Sequence, residues 1–239
     1  MLFLKIKHSF LELKDDLLDF VYPQSCPICE KCWSTLATLP APFCTYCKSL
    51  LEDEETTFKH RCVYLSHPED RRILSVRSLG TFDDHYKTLI HRFKYGRKIP
   101  LGKRLAESLG EKVACEKDFI GCDLIIPVPL HRARHRSRGF NQSQILAEGI
   151  SEVTNLPLMK DILKRKKNTQ DQTYLNAQQR KENVRGAFVV TQPDRIVGKH
   201  VILVDDVITT GATLNECARM LLDAGATKIF AVTLAVVVD

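Results

Sequence analysis

The segment VILVDDVITTGAT, residues 201–213, combines two adjacent carboxylates with a loop of hydroxyls and glycine. Asp205 and Asp206 follow an apolar run typical of a buried strand, and open parallel sheets bind ligands beyond the carboxyl ends of their strands. Residues 209–213 then begin a helix, where backbone N–H groups favour a phosphate and Gly211 allows close approach. Because two carboxylates can accept hydrogen bonds from a pair of neighbouring hydroxyls, the segment predicts a site for a ribose 5-phosphate.

Other kinds of site also place acids after an apolar strand. A Walker B magnesium site requires a GxxxxGK[ST] loop, and the sequence contains none. A phosphorylation receiver carries its acids in the first strand, and no glycine-threonine loop follows them. A helix cap needs one aspartate only, and two carboxylates at a buried strand end repel each other. The ribose-phosphate interpretation therefore accounts best for both halves of the segment.

Six of the nine cysteines fall within residues 26–62. Two pairs have CxxC spacing: Cys26 with Cys29, and Cys44 with Cys47. Two such knuckles supply four thiolates to one tetrahedral zinc ion, whereas buried core thiols have no reason to pair twice in this way. Cys32 is a competing ligand, and Cys62 lies outside the pattern. A closed four-thiolate site is structural, so we expect no chemistry at this zinc ion.

Basic residues follow the strand predicted at Leu124–Pro127 in DLIIPVPLHRARHRSRGFNQS. The prolines stop the strand. The loop after it begins with Val128, Pro129, Leu130, His131 and Arg132. The cations that continue to Arg138 suit a ligand with several negative charges. By themselves they also suit a solvated basic loop or a nucleic-acid patch.

From about residue 76 the sequence alternates apolar strands with helices, which predicts a parallel α/β sheet covered on both sides. The predicted strands are VRSLGTF, DLIIPVPL, GAFVV, HVILVDD and KIFAVTLAVV. The predicted helices are HYKTLIHRFKYG, LGKRLAESLGEKVA, NQSQILAEGISEVT and ATLNECARMLLDAGA. The polar segment KRKKNTQDQTYLNAQQRKENVRGAF is too long for a tight turn, so we predict a functional lid there. We divide the chain into residues 1–75, with an amphipathic helix and the cysteines, and residues 76–239.

The net charge of +6 permits an anionic partner but does not demand one. No run is long and apolar enough for a membrane helix, and the amphipathic start MLFLKIKHSFLELKDDLLDF lacks the uninterrupted apolar region of a signal peptide. We therefore expect a cytoplasmic protein without a membrane span. In that compartment thiols stay reduced, and clustered cysteines indicate a metal.

The segment 201–213 resembles the phosphoribosyl-pyrophosphate (PRPP) motif of type I phosphoribosyltransferases. The order PVPLH, RSRGFNQS, DQTYLNAQQRKENVRGAF and LVDDVITTGAT after a cysteine-rich start is similar to the ComF/GntX family over about residues 20–239. Lys94 stands at the family's lysine position. The resemblance implies an α/β, parallel-sheet type I phosphoribosyltransferase fold with a small N-terminal zinc-ribbon lobe. Many members carry two sets of zinc knuckles, but only His60 and Cys62 remain of the second set here, so we expect one zinc ion.

The resemblance also implies roles by position. Asp205 and Asp206 would be the catalytic pair that holds the ribose hydroxyls. The PRPP-binding set would add Val207, Thr209, Thr210, Gly211, Ala212 and Thr213. Val128, Pro129, Leu130, His131 and Arg132 would form the pyrophosphate loop. A flexible loop would add Gln172, Thr173, Arg180, Asn183 and Arg185. The implied cofactors are Mg²⁺, bound with PRPP, and structural Zn²⁺ at Cys26, Cys29, Cys44 and Cys47.

Members of the family are associated with uptake of transforming DNA. The partners that the resemblance implies are therefore PRPP, single-stranded DNA and a DNA-uptake translocase. Basic residues at 132–138 and 164–167, with Phe93, Phe140 and Tyr174, also suit a single strand. The acceptor stays open, as does the choice between an active phosphoribosyltransferase and a non-catalytic adaptor that binds PRPP or DNA.

Overall fold

The structure is a computed structural model that describes residues 72–95, 99–167 and 176–237. The four predicted zinc ligands lie outside these ranges, as do Cys32, His60 and Cys62. Gln172 and Thr173 of the predicted flexible loop lie outside them too. The zinc ion, the N-terminal helix and the division at residue 75 therefore stay predictions.

Strands and helices alternate through most of the described chain. The strands are β1 (Ser75–Thr81), β2 (Leu124–Pro127), β3 (Leu163–Arg165), β4 (Phe188–Val190), β5 (His200–Ile208) and β6 (Lys228–Val236). The α-helices are α1 (Asp84–Tyr95), α2 (Ile99–Cys115), α3 (Arg132–Arg138), α4 (Gln142–Thr154), α5 (Ala177–Val184) and α6 (Ala212–Asp223). Helix α6 ends where Gly225 adopts φ +101°, which confirms the predicted stop at this glycine.

Four strands form a parallel sheet in the order β1-β6-β5-β2. Strand β2 pairs with β5 only as far as Pro127 opposite Val204, whereas β6 stays paired with β5 as far as Val236 opposite Ile208. The predicted parallel α/β sheet is confirmed. Because β5 extends beyond the end of β2, the C-terminal part of β5 has no paired strand on the side of β2.

Helices cover both faces of this sheet. Leu124, Leu203 and other alternate strand residues share one buried cluster with Leu214 and Leu221 of α6. Helix α4 packs on β2, β5 and α2. Strand residues that face the opposite side of the sheet, such as Ile202, are also fully buried. Burial on both faces explains why the strands read as continuous apolar runs.

A second, two-stranded sheet pairs β3 with β4 in antiparallel orientation, with Arg165 opposite Phe188. The expectation that GAFVV joins the parallel sheet is therefore wrong. The strand is only three residues long, and its partner is the LKR segment that precedes the predicted lid. Helix α5 lies inside this lid segment, where we predicted an irregular loop. Its start is explained by a capping box between Asn176 and Gln179.

Candidate functional site

The two adjacent carboxylates lie within strand β5, which continues past them to Ile208. The prediction of a strand that ends at Asp206 is wrong by two residues, because pairing with β6 persists to the end of the strand. On the other side β2 has ended at Pro127, a residue without an N–H to donate. Asp205 and Asp206 are therefore partly exposed, although the four residues before them are fully buried.

Asp205 is held by neutral donors. Its Oδ1 atom accepts hydrogen bonds from Ser143 Oγ at 2.8 Å and from the backbone N–H of Asp206 at 2.9 Å. Burial, and then the charge of Asp206, raise the pKa of Asp205 to about 7, while these hydrogen bonds and Lys94 act in the opposite direction. Ser143 was part of the RSRGFNQS motif, but sequence reasoning assigned it no role. The feature of the sequence that could have identified Ser143 is its position in the first turn of the helix predicted after the strand Leu124–Pro127.

Asp206 is held by a cation. The Nζ atom of Lys94 lies 2.8 Å from Asp206 Oδ2, and the exposed fractions of the two side chains are 22% and 14%. Lys94 comes from the last turn of α1, far from β5 in the sequence. The resemblance had marked Lys94 without giving it a partner, and the ion pair now identifies one.

Each carboxylate keeps one oxygen open. Among the described residues, the donors to Asp205 all reach Oδ1, and the only donor to the side chain of Asp206 reaches Oδ2. No described donor reaches the other two oxygens, Asp205 Oδ2 and Asp206 Oδ1, and both residues are only partly buried. The site therefore offers two neighbouring acceptor oxygens to a ligand.

The predicted phosphate loop lies between β5 and α6. Gly211 adopts φ +72°, a left-handed conformation that favours glycine, and it precedes the first residue of α6. Glycine has no side chain with which to cap the helix, so the N–H groups of the first turn receive no capping bond from residue 211. An anion at this end of α6 would meet the positive end of the helix dipole and the backbone N–H groups of the first turn.

The predicted pyrophosphate loop is shorter than expected. Val128 donates its N–H to Val204 O, and Asn141 donates its side-chain N–H to Val128 O. From Arg132 the chain forms helix α3, whose N-terminus is capped by His131. Our description of residues 132–138 as a loop is therefore wrong. Gly139 adopts φ +87° at the helix C-terminus and ends it after seven residues.

A basic groove of about 800 Å³ lies between the end of β2, helix α3 and the β3-β4 pair. The cationic and histidine side chains along it are His131, Arg132, His135, Arg136, Lys160, Lys164, Arg165 and Lys166. Among its described lining residues the only acid is Asp161. The charge of Asp205 acts on Arg165, whose pKa is lowered by burial and then by Arg134. The charge of Asp205 therefore reaches one wall of the groove, although neither aspartate is among the residues that line it.

The predicted flexible loop is only partly described. Arg180 and Asn183 lie on α5, and Arg185 follows it. Arg185 lines a second cavity, of about 750 Å³, together with Thr210 and Gly211 of the phosphate loop. The structure therefore brings Arg185 to the phosphate loop, whereas Arg180 and Asn183 are not among the residues that line this cavity.

The helices and the metal-ligating side chains of the described ranges bear on two of the predictions. None of the helices in these ranges has the length and apolar character needed to cross a membrane. The same residues contain no group of three or more His, Cys, Asp or Glu side chains that could hold a metal ion. The acid pair is thus not part of a larger metal-ligand cluster within the described chain.

The parallel sheet, with the acid pair and the glycine-containing loop at the end of one strand, agrees with the expected phosphoribosyltransferase fold. In agreement, the family model for the phosphoribosyl transferase domain matches residues 136–239. Competence protein F of Haemophilus influenzae is 31% identical over 206 residues, which cover 84% of this chain and 87% of that protein. DNA utilization protein YhgH of Shigella flexneri is 30% identical, over 84% of this chain and 93% of that protein.

Competence protein ComFC of Bacillus subtilis is 29% identical over 203 residues, which cover 83% of this chain and 79% of that protein. The chain therefore belongs to the ComF family of competence and DNA utilization proteins, and it carries the phosphoribosyltransferase domain of that family.

Proposed function

We propose that this protein binds PRPP at the end of strand β5. The observation that carries the proposal is the pair of open oxygens, one on Asp205 and one on Asp206, a few residues before an uncapped helix N-terminus. Two acceptor oxygens suit the 2- and 3-hydroxyls of a ribose. Residues 209–213 suit its 5-phosphate, because backbone N–H groups, hydroxyls and the helix dipole all favour an anion there.

The pyrophosphate of PRPP would lie toward residues 128–132 and the basic groove. The fixed cations there would stabilise negative charge that develops on a leaving pyrophosphate. In a transfer reaction the bond from C1 to the pyrophosphate oxygen breaks, the acceptor forms a bond to C1, and the acceptor loses a proton. The acceptor is not assigned, and a protein that binds PRPP without transfer is the alternative.

Mg²⁺ fits this site only together with the ligand. Oxygen atoms are the ligands that Mg²⁺ prefers, but two open carboxylate oxygens are fewer than an octahedral ion needs. We therefore propose that Mg²⁺ is bound mainly by the phosphate oxygens of PRPP, where it would neutralise charge on the leaving group.

The biological process that we propose is the handling of single-stranded transforming DNA in the cytoplasm. Support comes from the names of the relatives, a competence protein and a DNA utilization protein. The basic groove supplies cations for a phosphate backbone. A translocase of DNA uptake would be a partner in this process.

We also propose that Cys26, Cys29, Cys44 and Cys47 hold one structural zinc ion. Their twice-repeated CxxC spacing supports the proposal. Elemental analysis of the protein purified under reducing conditions should give about one zinc per chain. A protein without zinc would contradict this proposal.

Calorimetric titration with PRPP and Mg²⁺ tests the proposed function. The wild-type protein should bind, and Asp205→Asn combined with Asp206→Asn should lose most of the binding because an amide nitrogen replaces an acceptor oxygen. Asp194→Asn is the control, because Asp194 is exposed and precedes the N-terminal end of β5, whereas the acid pair lies near the C-terminal end of that strand. If the wild-type protein does not bind PRPP, the proposal is wrong.

A second measurement separates the enzyme from the adaptor. Release of pyrophosphate is followed while PRPP is incubated with a panel of nucleobases and single-stranded DNA. Release that requires both PRPP and one acceptor would establish a transferase. Binding without release in any mixture would favour the non-catalytic alternative.

A further inference from the structure

Lys94 is the one described residue that brings a positive charge into direct contact with the acid pair, and it comes from a distant element. Its ammonium group lies 2.8 Å from Asp206 Oδ2, and four-fifths or so of each side chain is buried. An ion pair shielded to this degree is screened less by salt than an exposed pair is. Its effect on the electrostatics of the site is correspondingly strong.

The core fixes the position of Lys94. The neighbouring side chain of Phe93 is fully buried, and its ring lies so close to Gly102 of α2 that a Cβ atom at that residue would overlap it. Phe93 also contacts the ring of Phe140, with 5.6 Å between the ring centroids. Because the last turn of α1 is anchored in this way, the fold itself directs Lys94 to Asp206.

We propose that Lys94 is a specificity-determining residue, whose ammonium group makes the acid pair select a pair of hydroxyls over a free divalent cation. The inference rests on the proposed function, because it concerns the same two carboxylates. It goes beyond that function by stating why a bare metal ion does not occupy the site before the ligand arrives.

The physical reason is the charge at the two open oxygens. Two adjacent ionised carboxylates without Lys94 would carry a charge of −2, and carboxylate oxygens are good ligands for Mg²⁺ and Mn²⁺. Lys94 halves this charge and occupies one oxygen of Asp206. A divalent cation at the open oxygens would lie next to the ammonium group and be repelled, whereas a neutral hydroxyl would not be.

The test is Mn²⁺ binding to the full chain without PRPP, measured by electron paramagnetic resonance of the free ion at about pH 8, where Asp205 is mostly ionised. The wild-type protein and Lys94→Met are compared with Lys87→Met, which removes an exposed lysine from the same helix. Lys94→Met should bind Mn²⁺ at least about tenfold more tightly than wild type, and Lys87→Met should match wild type. Equal Mn²⁺ affinity in Lys94→Met and Lys87→Met would overturn the proposal.

Two further variants keep the result interpretable. Lys94→Arg retains the positive charge and should restore the weak Mn²⁺ binding of wild type. Asp206→Asn added to Lys94→Met should abolish the gain, and a gain that survives in this double variant would contradict a site at the acid pair. If Lys94→Met unfolds, Lys94→Gln keeps a hydrogen-bond donor without the charge, on a side chain that is one atom shorter.

The metal titration contains no PRPP, so its outcome is separate from that of the proposed function. A wild-type protein that fails to bind PRPP refutes the proposed function even if Lys94 excludes Mn²⁺. Conversely, PRPP binding with unchanged Mn²⁺ affinity in Lys94→Met refutes only the role of Lys94.

Discussion

At the scale of single residues, the two adjacent aspartates of strand β5 have different surroundings. Asp205 receives neutral donors from Ser143 and from the backbone, whereas Asp206 receives the ammonium group of Lys94. The two carboxylates therefore do not share one partner. This division leaves one oxygen of each carboxylate without a described hydrogen-bond donor. Burial, and then the charge of Asp206, raise the pKa of Asp205, the member without a direct cation.

The raised pKa of Asp205 predicts a pH dependence of stability. The usual pKa of an aspartate is about 3.9, and in the folded protein it is raised to about 7. Between these values the folded protein binds more protons than the unfolded chain, so the free energy of unfolding falls as pH rises. Asp205→Asn removes the group, and its stability relative to wild type should grow from pH about 4 to about 7, by at most about 4 kcal/mol.

Denaturant unfolding of wild type and Asp205→Asn across this pH range makes the measurement. The amide oxygen of asparagine can still accept the bonds from Ser143 and the backbone, so the substitution changes mainly the charge. Asp194→Asn, at an exposed position, should show no such trend. A difference between Asp205→Asn and wild type that shrinks as pH rises would contradict the raised pKa.

At the scale of secondary-structure elements, close packing of α2 against α4 positions the donor Ser143. Helix α4 begins at Gln142, so its first turn carries Ser143 to the acid pair. Gly149 of the same helix leaves room for Ala106 of α2, and an added Cβ would overlap that of Ala106 and lie 3.0 Å from its backbone carbon. The position of α4 therefore depends on a small residue.

Gly149→Ala should destabilise the protein. In most helix interiors this exchange stabilises by about 0.5–1 kcal/mol, but here overpacking costs about 1–3 kcal/mol. We expect a net loss of about 1–2 kcal/mol in the free energy of unfolding and weaker PRPP binding, because α4 must shift. Glu152→Ala, at an exposed position of α4, is the control and should change neither quantity by much. Stabilisation by Gly149→Ala would show that the two helices separate easily.

A second contact between elements ties the lid segment to the phosphate loop. Glu216, in the second turn of α6, accepts the backbone N–H of Gly186 at 2.8 Å and is paired with Arg219. Gly186 lies between α5 and β4, at the end of the lid segment. The same helix thus carries the phosphate loop at its start and holds the end of the lid one turn later.

At the scale of the whole molecule, positive charge is concentrated beside the acid pair. The net charge of the chain is only +6, yet eight cationic or histidine side chains line one groove. A groove of this kind attracts phosphates at long range and holds them by several separate contacts.

Replacement of Arg132, Arg136 and Lys164 by glutamine should weaken binding of single-stranded DNA and reduce its salt dependence. These three side chains are exposed in the basic groove. Each lost phosphate contact reduces the slope of log affinity against log salt by about 0.7, so the triple variant should lose about 2 from the slope. Fluorescence anisotropy of a labelled oligonucleotide across a salt series measures this slope.

The matched control is Lys87→Gln, Lys112→Gln and Lys228→Gln, which removes the same charge from exposed positions outside the groove. If DNA binding depends on the groove, the control slope should stay near that of wild type. Equal losses in the two triple variants would mean that net charge alone governs DNA binding.

The sequence by itself determined the parallel sheet, and it placed the functional groups of segment 201–213 next to one another. Both depend on local order along the chain: apolar runs for the strands, and a carboxylate pair followed directly by a glycine-containing loop. The tertiary structure decided which residues meet. Lys94 and Ser143 reach the acid pair from two different helices, and no periodicity in the sequence records such contacts between distant segments.

Short elements were also decided by tertiary structure. Strands β3 and β4 contain three residues each, and helix α3 contains seven, so their own propensities are too weak to predict them. They form because a partner is present: β3 pairs with β4, and His131 and Gly139 end α3 on either side. Functional groups that are adjacent in the sequence could thus be predicted from it. Contacts between residues that are distant in the sequence could be identified only from the tertiary structure.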